Sequence, residues 1–243
     1  MSFPLLHQKL DGSDLLVFFD FEGTEFSHTA IALGLVAYKK DPSSLLPFSK
    51  EPDFTYSSLI KNKEPIGKVV EEITGITSFQ LQREGKEYKE VVKEVSNLLR
   101  SYHKKYLHYG PLDQKILSHT TDAEEETEVN FLRHVKKNAL DFFLYLEERL
   151  LDENGKPYGI ARLGDKFSLS FEGKQHNPLY DALALSQIYF YVVSHEEELL
   201  KEYEKNYLIN PFTEKLNKKI AKAVLEKKVF TLEDFRSMLK ENL

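Results

Sequence analysis

At 243 residues the chain suits one large domain, or one domain with a small appendage, and 41% hydrophobic residues supply a substantial core. A net charge of −6 leaves out the basic surface that grips long duplexes, so a nucleic-acid ligand would need local cations, bound metal or a short single-stranded end. The absence of cysteine excludes disulfides, thiolate metal sites and cysteine nucleophiles. No window approaches the roughly 20 apolar residues of a membrane span, and Met1–Leu10 lacks signal-peptide features, so a cytoplasmic location is expected.

Residues 1–14 read as a polar lead-in. From residue 15 the chain runs Leu-Leu-Val-Phe-Phe-Asp-Phe-Glu-Gly-Thr-Glu-Phe, an apolar and aromatic stretch that reads as a buried strand. Isolated carboxylates are costly to bury, yet Asp20 and Glu22 stand here two apart, on one face of the strand. Gly23 ends the run and permits a close approach by another backbone or a ligand. Thr29–Tyr38 reads as a second buried strand and Phe54–Ile60 as a third, which together predict an antiparallel meander. Ile66, Val69, Val70 and Ile73 recur at helical spacing until Thr74-Gly75 stops them.

The clearest amphipathic helix spans residues 88–102, with Tyr88, Val91, Val92, Val95, Leu98, Leu99 and Tyr102 on one face. Lys105–Tyr109 reads as a short buried strand closed by Gly110-Pro111, and proline favours a helix start there. Asp113 then falls in that helix's first turn, with Leu112, Ile116 and Leu117 on its inner face. Residues 122–128 read as a solvated acidic loop or helix start. A long helix is expected from Val129 to Leu151, and a short strand over Phe167–Phe171. Asn177 is a good N-cap and Pro178 a good first residue for a helix reaching Ser194, which puts Asp181 in its first turn and His176 on the approach. Residues from Glu196 onward read as two or three helices; Lys215, Lys218, Lys219 and Lys222 form a basic face largely cancelled by nearby acids.

Asp20 and Glu22 at a strand end, and Asp113 and Asp181 in first turns of helices, can converge on one edge of an α/β layer. Four crowded carboxylates repel one another, so such a cluster makes sense chiefly as a cage for hard cations, two Mg²⁺ or Mn²⁺ ions. Two such ions serve in-line phosphoryl displacement, in which His176 can take the proton of the attacking water near neutral pH. His108 and His119, beside Asp113, read as packing or surface residues.

Asp20-x-Glu22, Asp113 after Gly110-Pro111, and His176-x₄-Asp181-Ala182 resemble the three motifs of the histidine-bearing branch of the DEDD exonuclease superfamily. Ile73-Thr74-Gly75-Ile76-Thr77 is similar to a Thr-Gly-Ile element carried between the first two. The resemblance covers roughly residues 15–195. It implies a ribonuclease-H-like fold, a mixed β-sheet of antiparallel meander plus parallel strands flanked by helices. Residues 196–243 would then be a C-terminal helical extension, suited to dock a protein partner or a second copy. It further implies metal-dependent 3′→5′ hydrolysis of single-stranded ends, with Asp20, Glu22, Asp113 and Asp181 as metal ligands and His176 as general base. Gly23 and Thr24 match backbone lining the terminal nucleotide, and Phe26 the place of an apolar wedge beside the last base, a core role being the alternative. Pro178, Tyr180 and the Tyr-Gly-Pro-Leu-Asp form of the second motif depart from the usual pattern without removing a ligand. Gly173–Ala182 is similar to branches that trim RNA, which favours RNA slightly. A proofreading-type exodeoxyribonuclease and a non-catalytic binding module are the alternatives.

Overall fold

The computed structural model describes residues 3–209, 214–226 and 231–243. Helix α1 (Pro4–Leu10) precedes strands β1 (Leu15–Gly23), β2 (Ala30–Lys39) and β3 (Phe54–Leu59). Three helices follow, α2 (Lys68–Thr74), α3 (Ser78–Glu84) and α4 (Tyr88–Leu98), before β4 (Lys104–His108). Next come α5 (Leu112–Thr120), α6 (Glu126–Asn138), β5 (Ala139–Asp141), α7 (Phe142–Glu147), α8 (Ile160–Phe167) and α9 (Pro178–Ser194). The last elements are α10 (Glu196–Ile209), α11 (Glu214–Leu225) and α12 (Leu232–Lys240). No helix among the described residues is long and apolar enough to cross a membrane.

The strands form one mixed sheet in the order β3-β2-β1-β4-β5, the first three antiparallel and the last two parallel to β1. This is the mixed sheet flanked by helices that the sequence implies. β1 alternates between two cores. Leu16 and Phe18 join the cluster built with α1, α7 and α9, whereas Leu15, Val17, Phe19 and Phe21 join the one under α4, α5 and α6. Strand periodicity therefore carries Asp20 and Glu22 onto the Leu16–Phe18 face, the side occupied by α9. Phe18 ties strand to helix through the rings of Tyr189 and Phe190, 5.4 and 5.7 Å away. Phe18 and Tyr189, both fully buried, contribute about 1.5–3 kcal/mol each.

β4 pairs with β1 only from Leu15 to Phe18. Beyond that, Phe19–Gly23 continue with β2 on one side and no strand on the other. The sheet thus opens at the stretch that carries the acids.

Several sequence expectations need correction. The polar lead-in contains α1, whose Leu6 and Leu10 are buried four apart beneath the sheet. α2 exists but buries none of its residues: Val69 and Ile73 are 54% and 42% exposed, and Ile66 is buried just before the helix. α3 was not expected; Thr77 and Gln80 form its reciprocal N-terminal cap. The long helix expected from Val129 to Leu151 is interrupted because Ala139–Asp141 pair with Tyr106–His108 of β4. Asp141 then caps α7 by accepting from the Phe143 N–H at 3.0 Å. Phe167–Phe171 is not a strand: Phe167 ends α8, Ser168 turns left-handed at φ 54°, and the Phe171 ring packs where Gly164 has no Cβ.

The C-terminal helices share the main core. Leu199, Leu200 and Tyr203 of α10 and Phe235 and Leu239 of α12 belong to the cluster that holds Leu6 and Phe18. Arg149, buried, lies 4.1 Å over the Tyr145 ring and donates to the Asn242 carbonyl at 3.1 Å. On α11, Lys218 and Lys222 are exposed and Lys222 lies 3.9 Å from Glu226; the side chains of Lys215 and Lys219 lie outside the described residues.

Candidate active site

Asp113 reaches the acids of β1 because the chain turns sharply after β4. Gly110 adopts φ 90°, a conformation that costs glycine little, and its N–H donates to Asp141 Oδ1 at 2.9 Å. α5 begins directly afterwards, and Asp113 Oδ1 accepts the Phe21 N–H at 2.8 Å. That donor belongs to the part of β1 that β4 does not cover, so a side chain takes the place of a missing strand. His108 completes the support: its Nδ1 donates to the Gly110 carbonyl at 2.8 Å, which leaves Nε2 to accept from the Gln114 amide at 2.9 Å. Burial holds this imidazole below its ordinary range, so it is neutral scaffolding. His119 is exposed, with Nδ1 2.7 Å from the Ser27 carbonyl. Both histidines are packing or surface residues.

Asp181 is placed by the start of α9. The Asn177 side chain accepts from the Leu179 N–H at 3.2 Å, Pro178 occupies the first position, and the Asp181 N–H bonds the Asn177 carbonyl at 3.0 Å. The helix can sit this low on the sheet because of Gly34, the β2 residue that pairs with Asp20. A Cβ there would lie 2.0 Å from the Pro178 carbonyl carbon and 2.1 Å from the Leu179 nitrogen. Sequence reasoning missed Gly34 and Asp141. A lone glycine inside an apolar strand is a usable sign of close backbone approach. His176, at φ 61°, is the exposed residue just before this cap.

The carboxyl groups feel one another. Burial, then the charges of Asp113, Glu22 and Asp181, push Asp20 well above the usual carboxylate range. Burial and the charges of Asp181 and Asp113 raise Glu22 to about 8. Asp113 is raised to about 7, mainly by burial and against the bond from Phe21. Asp181 is raised by burial and eased by His176, whose Nδ1 stands 3.9 Å from Glu22 Oε1. Glu22, His176 and Asp181 each offer one ligand atom within 4.8 Å of the others. A half-buried, oxygen-rich set beside one exposed imidazole suits divalent hard cations.

The acids open into a cleft of about 810 Å³, bounded by the end of β1, α8, residues 169–176 and the start of α9. Such a volume accommodates a ligand of nucleotide size. Gly23 is accounted for by packing, since a Cβ there would meet Ile116 of α5 at 2.8 Å. Thr24 is buried; its hydroxyl lies 2.6 Å from that of Ser27, and its N–H donates to the Thr29 carbonyl at 2.9 Å. Phe26 is 79% exposed, which removes the core alternative.

No family model matches the sequence, and no curated protein matches it either. Several solved structures resemble it in fold. The nuclease domain of 3′hExo, a DEDDh family member bound to rAMP, is similar with TM-score 0.56 at 18% identity, over 77% of this chain and 94% of its own. The fold is that of the DEDD-type 3′-exonucleases. S. pombe Pop2p in its Mg²⁺- and Mn²⁺-bound form is similar with TM-score 0.54 at 15% identity, over 80% of this chain and 88% of its own. E. coli Exonuclease I in complex with a dT13 oligonucleotide gives 0.57 at 14% identity, over 78% of this chain and 43% of its own. At these identities the likeness is one of fold.

Proposed function

We propose that this protein is a metal-dependent 3′→5′ exonuclease that removes nucleoside monophosphates from single-stranded nucleic-acid 3′ ends. The observation that carries the reading is the convergence of four mutually repelling carboxyls, Asp20, Glu22, Asp113 and Asp181, with His176 beside them. The fold supports it, being shared with proteins whose structures hold rAMP, Mg²⁺ and Mn²⁺, or an oligonucleotide.

The four carboxylates would hold two Mg²⁺ or Mn²⁺ ions, which when bound supply positive charge to the oxygens of the reacting phosphate. Asp113 would contribute as a carboxylate already oriented by the Phe21 N–H. His176 takes a proton from the attacking water as its oxygen bonds to phosphorus; the bond to the neighbouring 3′-oxygen breaks, and that oxygen takes a proton from solvent water to become the new 3′-hydroxyl of the shortened strand. The exposed Phe26 would position the terminal nucleotide, with the Gly23–Thr24 turn as the support that presents it. A slight RNA preference follows from the Gly173–Ala182 stretch alone.

The test is hydrolysis of matched 5′-labelled DNA and RNA oligomers, single- and double-stranded, with Mn²⁺ or Mg²⁺. Stepwise shortening from the 3′ end is expected, and Asp20→Asn should abolish it. Shortening by the purified Asp20→Asn protein would refute the site.

A further inference from the structure

The cleft has a charge problem. Its lining carries Asp20, Glu22, Asp165, Glu172 and Asp181, while the whole chain stands at −6. A polyanionic strand must nevertheless enter. Arg162 and Lys174 are the basic side chains along the lining. Arg162 is committed: its Nη2 lies 2.8 Å from Asp152 Oδ2, and its guanidinium lies 5.0 Å from the Tyr158 ring centre.

Lys174 differs. Among the described residues no carboxylate lies within ion-pair distance of it, and its Nζ makes one long bond of 3.4 Å to the Thr74 carbonyl. This contact links the loop that carries His176 to the end of α2. The far end of α2 is fastened beside the acids, where Glu25 accepts the Val69 N–H at 3.2 Å and donates its own N–H to Ile66 at 2.8 Å. Gly75 leaves room for the ammonium, which would lie 3.3 Å from a Cβ there. A solvated cation thus rests on a neutral carbonyl at the rim of an acidic cleft. A phosphate oxygen is a stronger partner than a carbonyl for an ammonium, because both partners are then charged.

We propose that Lys174 leaves Thr74 and holds a backbone phosphate upstream of the bond that is cut. This rests on the nuclease reading for what the cleft admits, but its test does not depend on turnover. One phosphate contact on a single strand releases about 0.7 counter-ion, so its loss weakens binding about fivefold for each tenfold dilution of salt. The probe is a fluorescein-labelled oligomer of deoxythymidine, titrated by anisotropy over a salt series against the full chain and Lys174→Met, both in the Asp20→Asn background. Lys174→Met should bind about fivefold more weakly near 0.1 M salt and reduce the salt slope by about 0.7, and Lys174→Arg should restore both. Equal slopes for Lys174→Met and the parent overturn the proposal, as does weakening that Lys174→Arg does not rescue.

Hydrolysis of the p-nitrophenyl ester of thymidine 5′-monophosphate, which has no upstream phosphate, separates the two readings. With Asp20 intact, Lys174→Met should lower the oligomer-to-ester ratio of kcat/KM about fivefold, since only the oligomer offers the contact. An unaltered ratio overturns the proposal. A wild type inert on both substrates refutes the nuclease, while the anisotropy result still decides Lys174.

Discussion

Asp20, Glu22, Asp113 and Asp181 are stable together only when something answers their charge. Folding raises the Glu22 carboxyl from 4.5 to about 8 and that of Asp113 from 3.8 to about 7. Both groups hold protons more tightly folded than unfolded, so their contribution is complete below their unfolded values and is lost as pH rises through the folded ones. Metal-free protein should therefore melt at progressively lower temperature between about pH 5 and pH 8. Mn²⁺ should reverse that loss at the upper end. Thermal melts in chelator across this range check it, and a rising or flat Tm would contradict it. Asp20→Asn should flatten the profile by removing one repelling charge. His176 differs in kind because it is exposed and caps nothing. His176→Ala should leave Tm close to wild type and lower kcat roughly 10²–10⁴-fold, the range for a lost general base. Unchanged kcat would remove it from the mechanism.

Among the elements, β1 and α9 matter most, and Gly34 is the point where the latter rests on the sheet. Gly34→Ala sets a methyl against backbone atoms of Pro178 and Leu179 that cannot yield as a flexible side chain would. Overpacking of this kind costs about 1–3 kcal/mol. The melting point should fall by about 2–10 °C. Shifting Asp181 by about 1 Å should also reduce turnover about 10²-fold. Wild-type kinetics in this variant would show that α9 tolerates a higher seat. The glycine was visible in the sequence, but its partner, distant in the chain, was not. The same holds elsewhere. β1, β2 and α4 were legible because each buries a face long enough to impose its period. Residues 129–151 were not, because the helical spacing of Phe131, Val135, Phe142 and Leu146 continues across a break made by pairing with β4. α2 misled in the opposite way, with helical spacing on a helix that has no core to face. The candidate carboxyls Asp20 and Glu22 stood out more plainly than the elements around them, since acids in an apolar strand violate the hydrophobic pattern.

At the scale of the whole molecule, the placement of α10 and α12 bears on whether residues 1–195 form a domain separable from 196–243. Deleting 196–243 would uncover the core around Tyr145, Arg149 and Tyr189, and it would leave the buried guanidinium without the Asn242 carbonyl. Apolar surface returned to water on that scale forfeits the burial that stabilises the core. The 1–195 fragment is therefore expected to aggregate or to lack a cooperative melt, as read by gel filtration and near-ultraviolet dichroism. A folded, active fragment would establish the separable domain instead.

The strands shorten like stairs across one flank of the sheet, from nine residues in β1 to five in β4 and three in β5. The mouth of the cleft lies at the first step down. A longer β4 would bond Phe21 through its own backbone, and Asp113 would be displaced from the place where it now accepts that N–H. The early end of one neighbour therefore creates the room in which the acids can meet.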